Sequence, residues 1–445
     1  MIRRGIFLLA VAVLLVTAML LAAPQAFAQS VYGCSGLERD GRPAIEGDAG
    51  VFYRIDPDMR MFHAFSDETA DRLAELSAAL APLGTTLVYV PLPTKSLAMP
   101  DQLPQAARDY GFDTATATTV HGKILERLQA RAVLTADLRP ALRAGGPGAG
   151  GPDAPTFFPT DHRLTAAGAA RAARRIADAL AASPGFTALP KSRFETRPAG
   201  RVTLPSPMRN ALQRHCMIAL PPVETDSFTT TRLRAASGTN DSALFGTARA
   251  LPRIVLVGTE HAGEAASNLA GFLSEQTGLE VLPYTVAGGG SFAAISSYMT
   301  SREFQDAPPA YLVWVNPVEN NLAQFGDQPL HELIVAAGDG CRVPLPVLSG
   351  NDANTLTADL GTLDRSQSYT LFVDADGTQA TEARFDFHTA AGLARSQSVL
   401  RHKDQVKTGR FFMPLSGLWP QGAQTVDIVL DAPFGVAARV TACFD

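Results

Sequence analysis

The chain has 445 residues, of which 46% are hydrophobic and 18% are charged, and its formal net charge is −5. This length and composition are typical of a globular protein of two or three domains and exclude a fibrous or disordered chain. The negative balance disfavours binding to nucleic acid, so an anionic polymer would need a local basic groove.

The first 28 residues have the pattern of a secretory signal peptide. Arg3 and Arg4 precede the apolar run GIFLLAVAVLLVTAMLLAA, and Ala26-Phe27-Ala28 is a small-x-small cleavage site. The alternative is an uncleaved membrane anchor, since the run is nearly long enough to span a bilayer. The cleavage site favours removal, which would change the net charge from −5 to −7 because two arginines are lost. We therefore expect a periplasmic protein with no stable membrane anchor.

Four cysteines follow this segment, at positions 34, 216, 341 and 443. An even number in an oxidising compartment implies disulfides, with three possible connectivities. Their positions favour the pairs Cys34–Cys216 and Cys341–Cys443, of which the second would join the first and last strands of a C-terminal module. The sequence has no CxxC and no Cys/His cluster at zinc spacing, so we predict neither a metal site nor a cofactor.

Apolar strands and amphipathic helices alternate through the first two thirds of the mature chain. The predicted strands are 50–56, 85–93, 253–258, 279–286 and 310–317. The predicted helices are 66–84, a segment around His121–Leu134, an alanine-rich helix with Thr165 as its N-cap, 267–278 and 288–299. We expect a flexible loop at 145–155 and irregular structure over 185–250. The alternation predicts an α/β fold with a doubly wound parallel sheet.

The pattern changes after Cys341, where short alternating segments are separated by turn residues up to Asp445. This is typical of an antiparallel β-sandwich of about a hundred residues. The predicted organisation is therefore a signal peptide at 1–28, an α/β domain at 29–340 and a β-sandwich at 341–445.

Two polar loops are candidates for a functional site. One follows the strand 253–258 and contains Glu260 and His261, and the other precedes the alanine-rich helix and contains Asp161, His162 and Arg163. In an open α/β sheet, ligands bind beyond the carboxyl ends of the strands, where the first of these loops would lie.

The order of these segments resembles the AlgX/AlgJ group of periplasmic alginate O-acetyltransferases. The family pattern Asp-x-His-Trp-Thr-x-x-Gly corresponds to residues 161–168, DHRLTAAG, and the family's Val-Gly-Thr-Ser turn corresponds to 257–260, VGTE. Further similar stretches are PLPTKSLAMPDQLP at 91–104, NLAGFL at 268–273 and GGGSFAA at 288–294. The resemblance implies an SGNH-hydrolase-like domain, a C-terminal carbohydrate-binding β-sandwich and cysteines paired in the order given above.

The resemblance also implies acyl transfer through a serine that a histidine activates and an aspartate orients. Asp161 matches that aspartate, but Arg163 stands at the histidine position and Glu260 at the serine position. Arginine cannot act as a base, and a glutamyl acyl intermediate would be a labile mixed anhydride. Neither Ser267 nor Ser291 matches the nucleophile. We therefore predict that the family triad is replaced.

Several readings of the altered loops remain open. A Glu260–Arg163 salt bridge could fill the site, or a rearranged site could use Asp161, His162 and His261. The two histidines are equally compatible with hydrogen-bonded loop residues. The turn GGGS at 288–291 could hold an anion through its backbone N–H groups or be only a tight turn.

The C-terminal module contains a basic stretch that suits a uronate polymer. Cations there would pair with carboxylates, and the rings of Phe411, Phe412 and Trp419 could stack on sugar faces. The alternative is a solvated loop beside core aromatic residues. The predicted polysaccharide-binding residues are Arg401, His402, Lys403, Lys407, Arg410 and Trp419.

The leading functional hypothesis is a periplasmic factor in the biosynthesis, O-acetylation and export of an alginate-like exopolysaccharide, with the polymer itself as its partner. One alternative is an active O-acetyltransferase or esterase with a rearranged site. The other is a non-catalytic scaffold that docks proteins of the export machinery.

Overall fold

The computed structural model describes residues 30–143, 154–233, 253–350, 352–392, 394–415 and 422–445. The predicted signal peptide, most of the predicted 145–155 loop, and Trp419 lie outside these ranges. No helix within them is long and apolar enough to span a bilayer.

A parallel sheet forms the centre of the larger part of the molecule. The strands of this part are β1 (Ala44–Glu46), β2 (Phe52–Arg54), β3 (Thr86–Leu92), β4 (Leu134–Thr135), β5 (Phe194–Leu204), β6 (Val223–Arg232), β7 (Arg253–Gly258), β8 (Glu280–Thr285) and β9 (Tyr311–Pro317). Five of them pair in parallel in the order β4-β3-β9-β7-β8. The carboxyl ends of β3, β7 and β9 therefore lie side by side at one edge.

Both faces of this sheet are covered. Along β7, Ile254 and Leu256 belong to one hydrophobic cluster, whereas Val255 and Val257 belong to a second cluster. Successive side chains of a strand point to opposite faces, so the sheet separates two apolar layers. The predicted doubly wound α/β arrangement is confirmed.

Helices supply those layers. Their bounds are α1 (Ile55–Asp58), α2 (Asp67–Leu80), α3 (Lys95–Ala98), α4 (Thr114–Ala130), α5 (Arg139–Arg143), α6 (Ala166–Ala181), α7 (Pro207–Gln213), α8 (Glu260–Gly263), α9 (Leu269–Thr277), α10 (Ala293–Met299), α11 (Arg302–Asp306) and α12 (Gln328–Ala337). The predicted N-cap of the alanine-rich helix α6 is confirmed, because the Thr165 hydroxyl accepts from the backbone N–H of Gly168 at 3.1 Å.

The prediction of irregular structure over 185–250 is wrong for its described part. β5 and β6 form an antiparallel pair, with a register shift between Pro198 and Gly200. Most β5 side chains are exposed, so the segment lacks the alternating apolar pattern by which a half-buried strand is recognised. The proline within β5 lowers its apparent strand propensity further.

The C-terminal part is the predicted antiparallel sandwich. Its strands are β10 (Cys341–Pro344), β11 (Val347–Ser349), β12 (Thr355–Asp359), β13 (Tyr369–Asp374), β14 (Glu382–Thr389), β15 (Ala394–Leu400), β16 (Arg410–Pro414), β17 (Ala423–Leu430) and β18 (Arg439–Phe444). They form two sheets, β10-β18-β13-β16 and β11-β12-β17-β14-β15. Leu371 and Phe411 of the first sheet and Phe385 and Val426 of the second share one buried core.

Both predicted disulfides are present. Cys34 is bonded to Cys216, and Cys341 is bonded to Cys443. The second bond joins β10 to β18, the first and last strands of the sandwich, at directly paired positions. The first bond connects two segments that are 182 residues apart in the chain.

Candidate functional site

The two candidate loops meet at the carboxyl edge of the sheet. β7 ends at Gly258, where a Cβ would lie 2.7 Å from the carbonyl oxygen of Val315, so only glycine fits between these strands. The chain then enters α8 at Glu260. In the other loop, the backbone N–H of Phe158 donates to the carbonyl of Arg163 at 3.1 Å, which folds the loop back before α6.

His162 lies between the two carboxylates of the site. Its Nε2 is 3.2 Å from Oε1 of Glu260, and its Nδ1 is 3.5 Å from Oδ1 of Asp161. The path of the loop thus directs His162, rather than the next residue, toward the end of β7. Asp161, His162 and Glu260 form a line of acid, imidazole and acid.

The predicted salt bridge between Glu260 and Arg163 is wrong. The Arg163 guanidinium instead makes two bonds to Asp161, Nε to Oδ1 and Nη2 to Oδ2, both at 3.0 Å. Its Nη1 donates to Glu264 at 2.7 Å and its Nη2 to the carbonyl of Pro205 at 2.7 Å. Burial by itself would raise the pKa of Asp161, but the Arg163 bonds and the nearby His162 lower it to about 2. Arg163 therefore holds Asp161 ionised and fixes the loop.

Glu260 occupies the cleft as a carboxylate. Its Oε2 accepts from the backbone N–H of Gly288 at 3.0 Å, so the glycine-rich turn does hold an anion, which is the protein's own. Burial alone would raise the pKa of Glu260, but the bonds from His162 and Gly288 hold it well below its usual range. Both oxygens of Glu260 thus have fixed neighbours.

His261 lies behind this pair, with 5% of its surface exposed. Its ring is edge-on to that of His162 at 5.5 Å and to that of Phe157 at 6.5 Å. Burial lowers its pKa to about 3, so the imidazole is neutral. Its Nδ1 is buried and has no hydrogen-bond partner in the described part of the chain.

We expect the protein to lose stability as the pH falls from about 6.5 toward 4. Burial lowers the pKa of His63 and His121 to about 4 and that of His261 to about 3. In this window the unfolded chain takes up protons at these histidines while the native protein does not, so protonation favours unfolding. Urea unfolding at a series of pH values measures the slope. His121→Gln, which removes one titrating group, should flatten it, and a slope equal to that of the unaltered protein would contradict this account.

Lys95, a buried lysine beneath the loop, is not among the site residues predicted from the sequence. Lys95, only 1% exposed, directs its Nζ at four backbone carbonyls, those of Phe52, Phe158, Pro159 and Asp161, at 2.6–3.0 Å. Burial lowers its pKa to about 7 against the opposing charge of the fully buried Asp58. The 91–104 stretch that resembles the family contains Lys95, but nothing in the residue pattern distinguishes a buried lysine from a surface one.

A cleft of about 470 Å³ is lined in part by His162 and Glu260. Most of its other lining residues belong to 37–44 and 207–215, segments next to the Cys34–Cys216 bond, and the rest are Arg54, Asp56 and Pro57. A shallower extension of about 340 Å³ continues past Arg42 and Arg214. The sequence predicts no role for these walls, because neither segment carries a motif and α7 lies in the range predicted to be irregular.

Two of the predicted polysaccharide-binding residues have partners inside the protein. Arg401 pairs with the buried Glu332 of α12, Nη2 to Oε1 at 2.6 Å, and Arg410 pairs with Asp374 at 3.3 Å. Both arginines therefore have partners that suit a structural role, and their contact with polymer stays a prediction.

The other predicted binding residues differ in their surroundings. Phe411 and Phe412 are buried, so their rings are not available to stack on a sugar. Lys403 is exposed, while His402 and Lys407 are partly so, and polymer binding stays a prediction for these three.

Comparisons with known proteins agree with this architecture. The profile of the family described as SGNH hydrolase-like domain, acetyltransferase AlgX, matches residues 51–318. The alginate biosynthesis protein AlgX of Pseudomonas aeruginosa is 32% identical over 281 residues, which cover 63% of this chain and 56% of that protein. The chain thus matches little more than half the length of this relative.

Two solved structures share the fold. That of Pseudomonas aeruginosa AlgX has a TM-score of 0.74 at 24% identity and covers 91% of this chain and 94% of that one. The O-acetyltransferase domain of Pseudomonas putida AlgJ has a TM-score of 0.51 at 19% identity, covering 65% and 98%. The first likeness extends over the sandwich as well as the parallel sheet, which confirms the predicted fold class.

Proposed function

The chain belongs to the AlgX family of SGNH hydrolase-like domains, and on this premise we propose that it is an exported factor of alginate-like exopolysaccharide biosynthesis. It binds the acidic polymer in its cleft and forms no acyl-serine intermediate. The relatives named alginate biosynthesis protein supply the polymer class. The two disulfides fit an oxidising compartment such as the periplasm.

The observation that carries this proposal is the carboxylate of Glu260 at the nucleophile position. In acyl transfer, backbone N–H groups near the nucleophile receive the developing oxyanion. Here the N–H of Gly288 is already bonded to Glu260, at 3.0 Å. A second negative charge beside this carboxylate would be repelled, so the arrangement opposes the transition state of serine-type acyl transfer.

The rim of the cleft supports binding of a uronate chain. Arg42 is exposed, and its guanidinium has no ion-pair partner among the described residues. Arg214 has a 63% exposed side chain and contacts Asp40 at 3.3 Å. Arginine forms paired hydrogen bonds with planar carboxylates, which suits it to successive uronate groups.

A second candidate function is ester hydrolysis with His162 as the general base. The position of His162, within 3.5 Å of Asp161, is what favours it, since a histidine oriented by an acid can activate water. This mechanism needs no serine. Against it, Nε2 of His162 is already bonded to Glu260.

Calorimetric titration of the mature protein with oligouronates tests the binding proposal. We expect binding that weakens with salt and falls about tenfold or more in Arg42→Ala/Arg214→Ala, a loss of about 1.4 kcal/mol. Arg302→Ala, an exposed arginine that does not line the cleft, is the matched control. Equal affinity for a neutral glucan, or equal affinity of the double variant, would contradict the proposal.

A chromogenic acetyl ester separates the three functions. We expect no turnover by the unaltered protein, whereas Glu260→Ser should trap an acetyl group detectable by mass spectrometry. Turnover that disappears in His162→Ala would establish the hydrolase instead. Binding of neither ester nor polymer would leave the role of a scaffold for export-machinery proteins.

A further inference from the structure

Three potential metal ligands lie close together where His162 and Glu260 line the cleft. One ligand atom from each of His162, Glu260 and His261 can be chosen so that all three lie within 4.8 Å of one another. Sequence spacing predicts no metal site, because His162 lies 98 residues before Glu260. Only the meeting of the two loops brings these residues together.

A cation at this site would replace the hydrogen bond between His162 and Glu260. Gly288 holds Oε2 of Glu260, so Oε1 points toward Nε2 of His162 at a separation of 3.2 Å. Two ligand atoms that are each about 2.0–2.2 Å from one tetrahedral zinc ion lie at a separation close to this distance between Oε1 and Nε2. Asp161 lies near the opposite ring nitrogen of His162, where a carboxylate commonly supports a metal-bound histidine.

The hydrogen bond between His162 and Glu260 does not explain the burial of His261, the third residue of the cluster. His261 is more than nine-tenths buried, and its Nδ1 has no partner among the described residues. A buried ring nitrogen without a partner destabilises the folded protein. A bound cation would give the buried imidazole of His261 a partner where its ring lies edge-on to that of His162, with 5.5 Å between the ring centroids.

We propose that His162, Glu260 and His261 bind a zinc ion with at least one coordination position open to the cleft. Two imidazoles and one carboxylate are a ligand set that zinc takes in sites with an exchangeable position, whereas calcium and magnesium prefer oxygen ligands alone. His162 and Glu260 line the cleft, so the open position faces it. If the proposed function holds, that position would receive a carboxylate oxygen of the bound polymer.

Zinc binding is measured on the tag-free mature protein after treatment with a chelator. Competition against a chromophoric chelator should give one zinc ion per chain, with affinity at least a hundredfold lower in Glu260→Gln and in His261→Ala. His388→Ala is the matched control, because His388 also faces a carboxylate, that of Asp427 at 2.9 Å, but lies in the sandwich. Urea midpoints establish that each variant is folded.

Several results would overturn the site. They are an absence of zinc binding, unchanged affinity in a folded Glu260→Gln variant, or an equal loss in His388→Ala. Cobalt substitution gives an independent readout, since its visible absorption reports nitrogen and oxygen ligands and should vanish in Glu260→Gln. Zinc binding without any effect on oligouronate affinity would retain the metal site and reject only its role in polymer binding. Oligouronate binding without zinc would do the reverse.

Discussion

Replacing Lys95 with methionine is expected to lower the free energy of unfolding by about 3–5 kcal/mol. The side chain is buried, and its Nζ lies within hydrogen-bond distance of four carbonyl oxygens, those of Phe52, Phe158, Pro159 and Asp161, which share its N–H donors. Methionine fills a similar volume but donates no hydrogen bond, so these carbonyls would lose their common donor. Three of the four belong to the loop that carries His162.

The same substitution removes the positive charge that Lys95 carries near Asp58 when its amine is protonated, below a pKa of about 7. That carboxylate is fully buried and would retain only Arg54, which it contacts at 2.8 Å, as its cationic partner. Urea unfolding measures the loss of stability, and zinc or ligand binding reports the loop. Lys123→Met, at an exposed position on α4, is the control and should change stability by less than about 0.5 kcal/mol. Similar midpoints for the two variants would show that Lys95 does not support the loop.

Replacing Arg401 with methionine is expected to destabilise the protein by about 3–5 kcal/mol, because it leaves a buried carboxylate without its cation. The side chains of Arg401 and Glu332 are 8% and 0% exposed, and two contacts join them, at 2.6 and 3.1 Å. Arg401 also donates to the carbonyl of Arg410 at 3.0 Å and lies over the ring of Phe411. The pair links α12 to the sandwich.

A double variant separates the pair from the packing around it. Arg401→Met/Glu332→Leu removes both charges and should recover much of the lost stability, since replacing a whole buried ion pair by apolar groups is often nearly neutral. Lys403→Met changes a side chain that is 84% exposed and should have little effect. If Arg401→Met instead left stability unchanged and weakened oligouronate binding, the predicted polymer contact would be right and the structural role wrong.

At the two loops of the site, residue identity predicts which side chains are present but not which of them make contact. By the family resemblance, Glu260 and Arg163 stand where a serine and a histidine are expected, and a salt bridge between the two charges is one of the readings that the sequence leaves open. In the folded chain Arg163 turns back onto Asp161 and reaches Glu264, while His162 faces Glu260. The direction of each side chain depends on the path of the 156–165 loop, which is fixed by backbone bonds and by Lys95 beneath it.

The features that could be predicted from the sequence are local elements and covalent bonds. Periodicity of apolar residues predicts the strands β3, β7 and β9 and the helix α6, because each element must present an apolar face to the core. The number and order of the cysteines, together with the family resemblance, predict both disulfides. The sequence alone shows a glutamate at position 260, where the family resemblance predicts a serine.

Contacts between residues that are distant in the sequence could not be predicted in this way, because the tertiary fold sets them. The cleft walls around Arg42 and Arg214 come from segments joined by a disulfide, and the cluster of His162, Glu260 and His261 comes from two loops almost a hundred residues apart. The burial of Lys95 and of the pair Arg401–Glu332 is likewise set by packing between elements. Contacts of this kind produce no periodic pattern in the sequence, because they form only when the fold brings separate segments together. At the site, the strand order of the sheet brings the ends of two loops to one edge.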